Sequence, residues 1–111
     1  MNILEKQKND EIEGTFCHEL FENSFFNEKL CQELLVELPN INKTVSSTQI
    51  IKWIISSVDT CFTSHHDDND LYQIKNYSKK NRRQMERVST NIRKIYLIKN
   101  YLFLLYLTSK L

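Results

Sequence analysis

The densest run of potential ligands in this chain is His65-His66-Asp67-Asp68-Asn69-Asp70, and imidazoles followed by carboxylates could in principle hold zinc. Adjacent histidines in a loop rarely aim both rings at one ion. A structural zinc site also takes four ligands at paired spacings, for which Cys17, His18, Cys31 and Cys61 would have to converge through the fold. The spacing therefore predicts a solvated acidic loop from Thr63 to Asp70 and no metal centre. Nucleophilic catalysis would need a thiolate, a base beside it and a third group to orient that base. Cys17, Cys31 and Cys61 fall instead on or beside apolar stripes, where unpaired cysteines are usually buried and structural. With a single glycine, Gly14, the chain has no Gly-rich loop to cradle a phosphate. The residues point to a chain that is not an enzyme and carries no cofactor.

Charge is the stronger signal. Residues 1–38 contain nine acids and three bases, whereas residues 71–111 contain ten bases and one acid, although the whole chain is only +1. The basic set is Lys75, Lys79, Lys80, Arg82, Arg83, Arg87, Arg93 and Lys94, with Tyr72 and Tyr77 among it. Basic helices bind phosphates through charge and counterion release. The same residues could instead form a solvated face paired intramolecularly with Glu11, Glu13, Glu19, Glu22, Glu33 and Glu37, the first reading of the pattern, or dock a protein partner. A near-neutral pI of 7.7 argues against avid nucleic-acid binding, which usually goes with a strongly basic domain.

The elements that position these groups read as helices. One glycine and one proline leave little to build hairpin turns, so an all-β fold is disfavoured. Ile12, Phe16, Leu20 and Phe21 repeat at helical spacing and predict a first helix over about residues 3–22, weakened by Gly14. Asn27 reads as the cap of a second helix carrying Leu30, Cys31, Leu34, Leu35 and Leu38, which Pro39 ends. Ser46 and Gln49 resemble a capping box for a third helix with Ile50, Ile51, Ile54, Ile55, Val58, Cys61 and Phe62 on its stripe. Its β-branched richness also fits a buried strand. A short helical stretch from Leu71 to Tyr77 leads into a long last helix over about residues 79–110. The expectation is an all-α fold, a small bundle of about four helices with a long C-terminal helix, forming one domain over residues 1–111.

From Ile95 to Leu107 eleven of thirteen residues are apolar. A membrane span needs about twenty, so no membrane attachment is expected. Tyr96, Tyr101, Phe103 and Tyr106, with the aliphatics around them, put apolar groups on every face of that helix. One small bundle hardly covers them all, which singles out Tyr101, Leu104 and Leu105 as the face for a protein partner or a homodimer. The polar N-terminus and three widely spaced cysteines suggest an intracellular chain, nuclear or cytoplasmic, with free thiols.

Phe26-Asn27-Glu28-Lys29-Leu30 opening an amphipathic helix, then an isoleucine-rich stretch, then Asn81-Arg82-Arg83 leading into a basic and apolar terminal helix, resembles the helical domain of GINS subunits of the Psf type. Asn91-Ile92-Arg93-Lys94 offers a second register for the last motif, and the resemblance spans residues 26–111. It implies a non-enzymatic subunit of the heterotetrameric GINS assembly, which associates with the MCM helicase ring in DNA replication. The long helix would then pack on sister subunits with Arg82 and Arg83 near an interface. The small β-rich domain that usually accompanies the helical one has no counterpart before Leu111. The functional expectation is a non-catalytic interaction subunit of a multiprotein assembly. Two alternatives are a small nucleic-acid-binding protein using its basic helix, and a regulatory or host-directed factor of a virus with an AT-rich genome.

Overall fold

The computed structural model describes residues 2–9, 11–79 and 82–96, which are helical with no strand among them. The predicted first helix is two. α1 (Ile3–Lys8) is capped by Asn2, and α2 (Phe16–Glu22) by Thr15, whose hydroxyl oxygen accepts from the His18 amide at 3.1 Å. Between them the Asn9 side chain accepts from the Glu11 amide at 2.9 Å, the local bond with which asparagine competes against a helix. Gly14 then takes φ +79°, which ends any continuation. Gln7, almost fully buried, accepts from the Cys17 amide at 3.0 Å. That bond satisfies a second orphan donor at the start of α2 and ties the two short helices together.

α3 (Glu28–Glu37) starts as the sequence predicts. Asn27 accepts from the Leu30 amide at 3.1 Å, and Glu28 lies in the first turn. A 3₁₀ turn, Leu38–Asn40, carries Pro39 out of the helix. α4 (Val45–His66) resolves the helix-or-strand ambiguity in favour of a helix. Its cap is Thr44, two residues before the predicted Ser46. Thr44 Oγ1 accepts from the Ser47 amide at 3.0 Å while Ser47 Oγ accepts from the Thr44 amide at 2.8 Å. The helix also runs through Thr63–His66, read from sequence as loop, so the loop begins at Asp67.

α4 is the axis of the structure, packed by α1 and α2, with α3 against both of those. Leu4, Phe16, Leu20, Leu34, Ile54 and Val58 are at most 1% exposed in the shared core. A run of aromatic contacts crosses it, from Phe16 to Phe26 at 5.3 Å edge-on, then Phe62 at 6.3 Å, then Tyr77 at 6.5 Å. Residues 71–77 do not form the predicted short helix. Instead they lie as a strap across the core, and Ile74 is buried. The last predicted helix begins at Arg82, not 79, and is interrupted at Arg87 between α5 (Arg82–Glu86) and helical residues 88–96. Its remainder, residues 97–110, lies outside the described residues. No helix among the described residues is long and apolar enough to cross a membrane.

Candidate interaction surface

What fixes the basic segment in place is the strap before it. His65 Nδ1 accepts from the Ile74 amide at 3.0 Å, the Gln73 side chain donates to the His65 carbonyl at 3.2 Å, and the Lys75 amide donates to the Ser24 carbonyl at 2.8 Å. The Asn76 side chain closes on the Phe26 backbone in both directions, accepting from its amide at 2.8 Å and donating to its carbonyl at 2.7 Å. Tyr72 donates from its hydroxyl to the Leu20 carbonyl. Ser24, with φ 55°, is the one described non-glycine residue in the left-handed region, and it offers its carbonyl at this junction.

A polar clasp then joins the end of α4 to α5. Glu86 accepts from His66 Nε2 at 2.6 Å and from the Tyr77 hydroxyl at 3.2 Å on one oxygen, and from Arg82 Nε at 3.1 Å on the other. Burial alone would raise the Glu86 carboxyl, but the hydrogen bonds from His66, Arg82 and Tyr77 and the Arg82 charge outweigh it and hold it below the usual carboxylate range. The His65 ring stacks on Tyr77 at 4.2 Å between centroids, with His66 at 5.1 Å. Burial, then the charge of His66, lowers the His65 pKa against a weaker opposing pull from Glu86. An imidazole that accepts an N–H at Nδ1 is held in its neutral form, so geometry and shift agree.

Most of the histidine and aspartate run makes local hydrogen bonds. Asp67 and Asp70 use their carboxylates to accept the Asn69 and Tyr72 amides, each at 2.9 Å, and no cluster of three metal-ligating side chains occurs among the described residues. The thiols are buried, as the stripes indicate. Burial pushes Cys31 up to about 12, aided by Glu28, and holds Cys17 and Cys61 above the ordinary thiol range. They remain protonated and poor nucleophiles at neutral pH.

Of the basic residues, Lys79, Arg82, Arg83, Arg87, Arg93 and Lys94 are exposed. Lys80 and the predicted partner face Tyr101, Leu104 and Leu105 lie outside the described residues. The intramolecular neutralisation open from the sequence takes a different form. None of Glu11, Glu13, Glu19, Glu22, Glu33 or Glu37 forms an ion pair among the described residues. The acids that pair are Glu86, with Arg82, and Asp59 of α4, which meets Arg93 at 2.8 Å. Lys79, Arg83, Arg87 and Lys94 have no ion-pair partner among the described residues. Arg83 lies on α5, Arg87 at the break and Lys94 on the helical residues beyond it. Arg87 also borders a cleft of about 310 Å³ between α3 and the terminal segment, with Glu28, Gln32 and Asn91.

Sequence reasoning missed the clasp. The available signal was Glu86, the lone acid in residues 71–111, which marks where a basic segment would be tied internally. Tyr72 and Tyr77, interleaved with the bases in sequence, are turned to the core and the clasp. No protein-family model matches the chain, and no curated protein or solved structure matches it significantly.

Proposed function

We propose that the chain is a non-catalytic helical interaction subunit that meets an acidic surface of a protein partner through Arg83, Arg87, Lys94 and Lys79. The observation that carries this reading is the unneutralised basic strip on a segment anchored by the clasp and strap. An anchored backbone leaves less freedom to lose on binding, and complementary charge speeds encounter and fixes register. The buried, protonated thiols and the structural use of His65 and His66 accord with a non-catalytic role. The test is cross-linking in cells of the wild-type chain against Arg83→Glu/Arg87→Glu, with helicity checked by circular dichroism. Specific partners lost in a well-folded variant support the reading, and an unchanged partner set removes it.

Nucleic-acid binding is the second reading, on the same strip. Base stacking usually contributes to single-strand binding, and Tyr72 and Tyr77 are otherwise engaged, so duplex phosphate contact is the form to test. Titration of a DNA duplex over a range of salt would give a steep loss of affinity if phosphates are contacted, and a flat response would eliminate it. The narrower proposal, a GINS-like replication subunit, rests on the motifs at residues 26–30 and 81–83. Co-expression with sister GINS subunits should yield a stoichiometric complex, and failure to assemble would withdraw it.

A further inference from the structure

Two clefts meet at Phe26 and Glu28 between α3 and the terminal segment, one of about 390 Å³ toward Phe25 and Met85 and one of about 310 Å³ toward Leu35 and Val88. Volumes of this size fall in the lower range of pre-formed binding sites, roughly 300–1,000 Å³. The floor is apolar, with Phe26, Cys31, Met85 and Val88 at most 4% exposed. The lips are polar. Glu28 and Gln32, one turn apart on α3, line the second cleft together with Gln84, Arg87 and Asn91 of the terminal segment. The carboxamides of Gln32, Gln84 and Asn91 have no hydrogen-bond partner among the described residues. Glu28 and Arg87 are the only charged groups of the two linings among the described residues, and neither forms an ion pair there.

These features fix the chemistry of an occupant. A carboxamide offers both donors and an acceptor, the complement of a peptide group. The structure already uses that pairing, since the Asn76 side chain takes both the amide and the carbonyl of Phe26, at 2.8 and 2.7 Å. Opposite charges on the two lips disfavour an occupant of one sign throughout, because it would be repelled at one lip as it is held at the other. From Glu28 to Leu35 the cleft follows α3 for seven residues, about 10 Å of helical rise, which an extended chain covers in about three residues. Alternate side chains of an extended chain point to opposite sides, so the middle one of three enters the floor while its neighbours reach the lips.

We propose that this cleft binds an extended peptide segment of a protein partner, in which an apolar residue stands between an acidic and a basic one. The acid meets Arg87, the base meets Glu28, the apolar side chain rests on Phe26 and Val88, and the carboxamides of Gln32, Gln84 and Asn91 take the peptide groups. The proposal rests on and deepens the reading of the basic strip, since Arg87 belongs to both. It adds what the strip alone lacks, an apolar anchor and a fixed direction for the partner's chain.

NMR titration of the full-length chain with acetylated, amidated tripeptides tests it. Lysine-leucine-glutamate and glutamate-leucine-lysine present the two chain directions. One of them is expected to shift the side-chain amide signals of Gln32, Gln84 and Asn91, and to bind about tenfold more tightly than the same peptide with serine in place of leucine. Gln32→Ala/Asn91→Ala keeps every base of the strip and should weaken that peptide about tenfold. The peptide series on the wild-type chain remains decisive if this variant misfolds. Absence of shifts with both peptides overturns the proposal, as does undiminished binding by a folded variant. Tighter binding of glutamate-leucine-glutamate also overturns it, because net negative charge would then be acting on the basic strip alone, and the reading of the strip would stand without the cleft.

Discussion

Gln7 carries more structure than its type suggests, because its carbonyl oxygen is the partner of a buried backbone amide ten residues away. Gln7→Leu keeps the bulk and removes the acceptor, leaving the Cys17 amide unsatisfied. Such an orphan costs about 1–3 kcal/mol, which a lowered urea midpoint would register. His65 sets the acid response. Its folded-state pKa is below the ordinary value of about 6.5, so the unfolded chain binds its proton more readily. Its contribution to stability is fully present above that value and is lost as pH falls from it toward the folded-state pKa. Protonation at Nδ1 also removes the acceptor for the Ile74 amide. The melting temperature should fall between about pH 7 and pH 5, and His65→Asn, which keeps an acceptor that does not titrate, should flatten that slope. Glu86 acts in a lower window. Its depressed carboxyl stabilises the fold above the unfolded value of about 4.3 and ceases to do so as pH drops through the folded one.

Among the elements, α4 was legible in composition and stripe but not in its start. Both Thr44 and Ser46 are good cap residues, and the choice turned on Ser47, which returns the bond to the Thr44 amide and also donates to the Asn42 carbonyl at 3.0 Å. Thr44→Ala should cost about 1 kcal/mol in thermal unfolding, whereas Ser46→Ala should leave stability within error. The long first helix failed for a related reason. Helical periodicity through Ile12 is real, but Asn9, Gly14 and Thr15 each hold a local alternative, and three such residues in seven outweigh a weak stripe. The strap at residues 71–77 could not be read from period or propensity, since much of its order comes from partners about fifty residues away, Leu20, Ser24 and Phe26, beside the bonds to His65. Asn76→Ala strips two hydrogen bonds from Phe26 at once. It should destabilise by roughly 2 kcal/mol and raise amide exchange at the Phe26 backbone.

At the scale of the molecule, the charge separated along the sequence is little neutralised by ion pairs among the described residues. Glu28 of α3 shares a cleft with Arg87, but no acid of α1, α2 or α3 forms an ion pair with the basic strip among the described residues, and the ties that hold it come from Asp59 and Glu86. The charge pattern thus revealed the strip itself, and the exposure of its members follows from basic types at helical spacing. Which acids would restrain it was hidden, because two single carboxylates, Asp59 and Glu86, form the ion pairs among the described residues, and none of the six glutamates of the intramolecular alternative does. Crowded like charges repel, so moderate salt should raise the melting temperature by screening Lys79, Arg83, Arg87 and Lys94, the reverse of a fold held by surface ion pairs. A melting point that falls with added salt would contradict this. The three cysteines have a last consequence. Each is buried at a different helix, on α2, α3 and α4, so an alkylating reagent gains access only when those helices part. Labelling of Cys17, Cys31 and Cys61 should therefore advance together at one rate set by the opening of the fold, and the native thiols would keep time for its unfolding.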